Sequence, residues 1–431
     1  MNWKGELLNF LVRWGLPGAA ALLMGIFLSR VGRSRLAEAL EARKWWVFAL
    51  TRPLFLLGLY VGLGFQGLTD YGYWIDAVEA ARHGSMPAFM GCYGPLYGPT
   101  LEAGHALFPW GHGCGILLGF LLGDALGLAT IPRIARVLWG GEEGAWACAW
   151  HLLSPMLWYQ AIFWAQDEPL FAGFLGLGVL ATIRGRPLAG AVALALGACF
   201  TKMSFAPYAA AVIVLGAADM AGFLSATGCA LGVTTVLYGG AWILGGSSKS
   251  LFDVLEWQAG GMTGWGIAIP DILIHAGVEL PSSLWLGACM AAILGSMALV
   301  RFRMRDGPVA WRVVLGLAGV HLAFLLLAPA CMSPYCVQGY FLVPFVWAAS
   351  GREGRRNPGL LLAVAAEWVV CMWLNFPREY WTWMALFLTC FHLATWIQTM
   401  RRSREFTSPG TRPPPPRGVP AGPSPTAPAP R

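Results

Sequence analysis

The chain has 431 residues, 57% hydrophobic and 12% charged, where a soluble domain carries roughly 25% charged residues. Its formal net charge is +7, but the cations sit in short clusters between apolar runs and form no patch or basic helix. That distribution excludes nucleic acid as the partner and points to membrane topology.

Apolar runs recur at 10–29, 47–67, 113–130, 144–164, 168–183, 187–201, 203–218, 221–245, 283–300, 312–330, 335–350, 358–375 and 381–399. Several fall short of the ~20 residues that cross a bilayer untilted, and the pair flanking Lys202 reads equally as a re-entrant hairpin. The expectation is an all-α polytopic membrane protein with about 11–13 spans in residues 1–400. Residues 401–431 form a Pro/Ala-rich tail too poor in apolar side chains to bury a core. The first run lacks a small-residue cleavage site, so it reads as a span and not a signal peptide.

Lys and Arg orient the spans. The connectors Arg30–Lys44, Arg133–Arg136, Arg184–Arg186, Arg301–Arg312, Arg352–Arg356 and Arg401–Arg404 hold nineteen cations. The alternate connectors (68–112, 165–168, around 202, 246–282, 331–334 and 376–380) hold only Arg82, Lys202, Lys249 and Arg378. The rich side is expected in the cytoplasm, with the amino terminus outside and the carboxyl terminus inside. The Ala/Gly/Arg-rich composition leans to a bacterial inner membrane. The ten cysteines lie mostly inside apolar runs, where they read as small core residues. Cys331 and Cys336 share a connector and leave a disulfide open.

The poorly charged side collects the unusual polar residues. Tyr73–Arg82 reads as a short amphipathic helix lying along the membrane surface, with Trp74, Ala77, Val78 and Ala81 on one face and Asp76 and Glu79 on the other. Asp70, where a span meets water, suits either a general base or a cap of that helix. Tyr93-Gly-Pro-Leu-Tyr-Gly-Pro99 constrains the following turns. The tight turn Trp164-Ala-Gln-Asp-Glu-Pro169 offers Gln166, Asp167 and Glu168 either as solvated residues or as ligands of sugar hydroxyls or a metal. Lys202, isolated between apolar runs, either snorkels to the interface or holds a phosphate. Tyr335 fits an aromatic belt, while Gln338 sits inside a span. Arg378 beside Glu379 is either one half of an ion pair or a phosphate contact. Asp124, within the third span, reads as a polar contact between helices.

The order of these features resembles a known group. Asp70-Tyr-x-Tyr-Trp-Ile-Asp-Ala77, Gly84-x-x-Pro87-x-Phe89 and Tyr93-x-Pro-Leu96 are similar to the first outer loop of GT-C membrane glycosyltransferases. They look most like the dolichyl-phosphate-mannose-dependent transferases that add the first mannose of GPI anchors, and like bacterial polyprenol-phosphate mannosyltransferases. Asp124, Ser154-Pro155, Phe163-Trp-Ala-Gln-Asp167, Arg184-x-Arg-Pro187, Lys202 and Ser333-Pro-Tyr-x-x-Gln338 follow in the order seen in that group. The GPI-type loop often has a further acid where this chain has Leu68, and the bacterial turn usually reads Gly-Gln where this chain has Ala165-Gln166. The sugar and acceptor therefore stay open.

The resemblance implies a GT-C-like bundle with outer-face interfacial helices in the first long loop. It implies an inverting hexosyl transfer, mannose or another hexose, from a polyprenyl-phosphate donor to a lipid or glycan acceptor. Asp70 would be the base; Lys202 and Arg378 would meet the leaving phosphate; Asp76, Tyr93, Gln166, Asp167, Tyr335 and Gln338 would position substrate. No nucleotide sugar or other cofactor is required, and a divalent metal stays open. The competing expectations are a sugar or sugar-lipid transporter or flippase, and a ligase of preassembled glycans.

Overall fold

The computed structural model describes residues 10–30, 35–65, 71–82, 93–139, 141–243, 266–329, 331, 333–348 and 358–405. The described chain is all helical, apart from one isolated backbone bridge. Its helices in chain order are α1 (Leu16–Arg30), α2 (Arg35–Ala42), α3 (Lys44–Gly62), α4 (Tyr71–Arg82), α5 (Tyr97–Leu107), α6 (Cys114–Trp139) and α7 (Gly141–Leu153). They continue with α8 (155–163), α9 (Glu168–Ile183), α10 (Pro187–Phe200), α11 (Ala206–Gly216), α12 (Met220–Ile243) and α13 (Ile269–His275). The last are α14 (Ser282–Arg303), α15 (Val309–Leu327), α16 (Leu342–Ala348), α17 (Pro358–Met372) and α18 (Trp381–Glu405).

Among the described residues five helices, α3, α6, α12, α14 and α15, are long and apolar enough to cross a membrane. Four shorter ones, α9, α10, α11 and α17, are predominantly apolar. α6 packs along α9, and α9 along α10, through glycines. A Cβ on Gly123 would strike the Leu170 backbone, and one on Gly173 would strike the backbone of Gly123. Close approach of this kind is what lets apolar helices gain packing energy without a hydrophobic drive between them.

Three apolar runs are not single straight helices. The run 144–164 breaks at Ser154, whose ψ of 113° is the extended geometry a following proline imposes. The break lets Ser154 Oγ donate to Glu367 Oε2 at 2.6 Å, while Trp150 Nε1 donates to Oε1 at 2.9 Å. The run 335–350 is a 3-10 segment, Ser333–Gly339, followed by α16. Gly339 lies so close to the His321 ring that no side chain fits there. α3 is interrupted at Arg52 by Pro53. The carboxyl-terminal helix runs on to Glu405, so the expected boundary at 400 moves outward; 406–431 lie outside the described residues. Cys331 and Cys336 are free thiols.

The interruption in α3 carries a buried charge group. Arg52, fully buried, donates from Nε to Asp124 Oδ2 at 2.8 Å and from its terminal nitrogens to the carbonyls of His151 and Leu152. His151 Nε2 lies 2.7 Å from Asp124 Oδ1, and its Nδ1 meets the Tyr340 hydroxyl. Arg52 also stacks on Trp158 at 4.9 Å. Removing one partner of a buried pair leaves the other uncompensated, at about 3–5 kcal/mol. Asp124→Asn should therefore lower the unfolding midpoint strongly in detergent, and Arg52→Met in the same background should recover part of the loss.

Candidate functional site

The sequence places Tyr93 and Lys202 more than a hundred residues apart, yet their backbones form an antiparallel bridge. Gly94 N–H donates to Thr201 O at 2.7 Å and Leu96 N–H to Cys199 O at 3.0 Å. A Cβ at Gly94 would collide with the Cys199 carbonyl oxygen, so the Tyr-Gly-Pro-Leu sequence needs glycine at that step. The bridge pins the first long connector onto the tip between α10 and α11.

Lys202 is the centre of what collects there. Its Nζ lies 2.7 Å from Asp167 Oδ1 and 3.0 Å from Glu168 Oε1, with both carboxylates essentially unexposed. The ring centroids of Tyr93 and Tyr335 lie 5.2 and 5.3 Å from the ammonium, within cation–π range. Burial works against the Lys202 charge, but Asp167 and Glu168 outweigh it and hold the lysine protonated. Two carboxylates thus share one ammonium.

An aromatic wall surrounds this cluster. Tyr93 and Tyr97 stack at 4.2 Å, and Trp74 meets both edge-on at 5.2 and 5.3 Å. Trp74 Nε1 donates to Ala165 O at 2.7 Å, which ties α4 to the turn that supplies Asp167. Trp74, Ala77 and Val78 are all buried. The apolar face of α4 is therefore taken up by the protein itself and does not rest on a lipid surface. Ala165 is the only described non-glycine residue with positive φ, at 53°. That conformation costs an alanine about 1–2 kcal/mol, and it explains chemically why glycine suits that position of the turn.

The predicted site residues divide into three groups. Tyr93, Asp167, Lys202 and Tyr335 are brought together as described. Gln166 is 8% exposed and holds the same turn, its backbone N–H donating to Gln160 O at 3.0 Å; Gln338 is fully buried in the segment that carries Tyr335. Asp76 is exposed on α4, away from the buried Trp74 face, and Arg378 is exposed on a separate turn, 5.9 Å from the Trp381 ring. Asp70 lies outside the described residues.

Tyr97, Trp74 and Gln160 border the cluster and were not selected from the sequence, and Glu168 was weighed there only with its turn neighbours and not as a site residue. No local pattern in the sequence ties Tyr97, Trp74 or Gln160 to Lys202. Several buried polar atoms here have no protein partner: Asp167 Oδ2, Glu168 Oε2, the Tyr97 hydroxyl and both side-chain amides of Gln160 and Gln338. Buried polar atoms without a protein partner are rare in folded proteins, so these have capacity for water or a ligand. Among the described residues no group of three or more His, Cys, Asp or Glu could hold a metal ion.

The segment carrying Tyr335 is anchored from the other side. Ile267 N–H donates to Cys331 O at 2.9 Å, Thr389 Oγ1 donates to Ile267 O at 2.9 Å, and Gly266 N–H donates to Asp271 Oδ1 at 3.1 Å. Burial pushes the Asp271 carboxyl from 3.8 up to about 6, against the opposing N–H groups of Gly266 and Ala268. No family model matches the chain, and no curated protein is found similar to it.

Two outcomes follow from these charges. Lys202→Met leaves two adjacent buried carboxylates and should lower the unfolding midpoint, by about 3–5 kcal/mol in free energy; Glu168→Gln in the same chain should restore much of it. For Asp271, a pKa raised on folding means the carboxyl favours the fold when protonated. Stability is then lost as pH rises through about 6. Asp271→Asn should raise the midpoint near pH 8, by up to ~3 kcal/mol, and leave it unchanged near pH 4.

Proposed function

We propose that the chain is an inverting membrane glycosyltransferase that moves one hexose from a polyprenyl-phosphate donor to a lipid or glycan acceptor. In this reading the described helices belong to a polytopic GT-C-like bundle, with the Lys202 end on the exoplasmic side. The observation that carries it is the meeting of four distant segments at Lys202. The first long connector, the 165–168 turn, the α10–α11 tip and the 333–339 segment supply an aromatic wall, two carboxylates with free oxygens and orphaned amides. Stacking rings and carboxylates that accept from hydroxyls are what a sugar needs from a protein.

The charge of the cluster refines the roles. Two of the three N–H donors of Lys202 face carboxylates, so its charge is already matched within the protein before a phosphate arrives. Asp167 and Glu168 suit the sugar hydroxyls, held in place by Lys202, and the leaving phosphate needs another cation, for which Arg378 is the candidate. Asp70, one residue before α4, is the base. It takes the acceptor hydroxyl proton as the oxygen attacks the anomeric carbon from the face opposite the phosphate. The new glycosidic bond forms, the bond from the anomeric carbon to the phosphate oxygen breaks, and the electron pair leaves with the polyprenyl phosphate.

A transporter would need an open polar path through the bundle. The interior does hold Arg52, Asp124, His151, His321, Glu367 and His392. Arg52, Asp124 and His151 pair with one another and Tyr340, Glu367 accepts from Ser154 and Trp150, and His321 meets Tyr208, so these groups are spread over separate local contacts and do not line one continuous path.

The test is turnover. Purified chain incubated with polyprenyl-phosphate hexoses and membrane lipid extract should consume the donor and yield a product heavier by one hexose in mass spectrometry. Asp70→Asn should keep its elution profile and lose about 10²–10⁴ of the rate. Full turnover in that variant removes Asp70 as the base. Movement of sugar-lipid across sealed vesicles with no new glycosidic bond would favour a flippase over the transferase.

A further inference from the structure

α9 starts at the Lys202 cluster and runs sixteen residues, about 24 Å, to the turn 184–186 at the opposite end of the bundle. There the structure opens a cavity of about 430 Å³ between that turn, the α11–α12 connection and the start of α15. Its walls are Ile183, Pro187, Ile213, Ala217, Ala226 and Val309, with Thr182 and Asp219 the polar members. The volume is that of an ordinary small-ligand pocket, and its lining is that of a hydrocarbon site.

The rim is cationic. Arg184 and Arg186 are exposed on the turn that borders the cavity. Arg301 donates to Ala217 O at 2.9 Å, and Arg312 donates to Leu215 O at 2.6 Å and Ala217 O at 3.4 Å, so both reach the same connection from α14 and α15. All four are absent from the salt bridges among the described residues, and the two inner ones are held by carbonyls alone. Of the nearby acids, Asp219 accepts the Gly222 N–H at 2.7 Å as the cap of α12, and Asp306 is exposed on the α14–α15 turn. Beside the cavity, α12 shows Met220, Leu224 and Leu231 at 60% exposure or more, a bare apolar flank.

An apolar cavity with an apolar flank and uncompensated arginines at its mouth is complementary to one kind of molecule, an amphiphile with an anionic head. Basic pockets between helices at a membrane surface recognise lipid headgroups in this way. We propose that this end of the bundle binds one anionic phospholipid, with an acyl chain in the cavity beside α12 and its phosphate facing Arg184, Arg186 and Arg301. The proposal is independent of the glycosyl-transfer reading, since the site lies at the far end of α9 from Lys202.

The experiment uses the full chain in neutral detergent, with phosphatidylglycerol, phosphatidylcholine of matched acyl chains, or inorganic phosphate added separately. Native mass spectrometry reads stoichiometry and thermal unfolding reads stabilisation. Phosphatidylglycerol should bind at one per chain and raise the midpoint, and the other two should do neither. The double variant R184Q/R186Q, which alters only exposed side chains, should bind phosphatidylglycerol about 30-fold more weakly. Ala218→Trp, which fills the cavity from its open side, should abolish the one-to-one complex while leaving the lipid-free midpoint in place. Equal stabilisation by phosphatidylcholine, saturation by inorganic phosphate alone, or unchanged phosphatidylglycerol affinity in R184Q/R186Q would overturn the proposal.

Discussion

A lysine held among apolar helices must be given opposite charge or lose its proton, and Lys202 is given two carboxylates. That requirement organises the surrounding chain. Asp167 and Glu168 reach Lys202 only because the turn before them is bent through a positive φ at Ala165. The Ala165 carbonyl is held by Trp74, and Tyr93 is carried to the lysine by a backbone bridge that tolerates no side chain at Gly94. Each of these devices is locally unfavourable or sterically demanding. Strain of this sort persists where the surroundings over-determine it, and such places are often functional.

The second buried charge group obeys the same rule with a different outcome. Arg52, Asp124 and His151 satisfy one another, and the remaining donors of Arg52 go to carbonyls freed where helix runs break. Nothing comparable closes the Lys202 cluster, where Asp167 Oδ2, Glu168 Oε2 and several neighbouring amides have no protein partner. A closed network fixes helix register; an open one has capacity left for a ligand. The two groups, both in apolar surroundings, differ in how many of their polar atoms the protein itself satisfies.

Legibility in the sequence followed the range of the interaction involved. Hydropathy located α9 and α10 almost to the residue, because an apolar helix between cationic turns is a local property of the chain. The breaks at Ser154 and in 333–348 were not legible from hydropathy, since a pre-proline residue or a glycine against a histidine ring leaves the apolar average unchanged. Asp124 read as a helix–helix contact, but its partners lie 72 residues before it and 27 after it in the sequence, and no local pattern names them. Within the site, Asp76 looked equivalent to Asp167 as an acid in a charge-poor connector. Two residues along a helix from Trp74 turn it by roughly 200°, so burying the indole necessarily exposes the acid. The same burial decides where α4 lies: its apolar stripe suits lipid or protein equally, and the indole N–H bond to Ala165 gives it to the protein.

The charge count at Lys202 also bears on how a lipid-linked sugar would be recognised. A phosphate needs a cation whose charge is not already matched, and the Lys202 ammonium faces both Asp167 and Glu168. Sugar hydroxyls need acceptors and flat apolar surfaces, and the cluster offers both at 4–5 Å spacing of its rings. If the two ends of a glycosyl phosphate must be held by different chemistry, a site with its sole buried lysine already compensated holds the sugar end. The phosphate end then falls toward exposed cations on neighbouring turns, where the anion keeps part of its hydration and departs more readily once the glycosidic bond has formed.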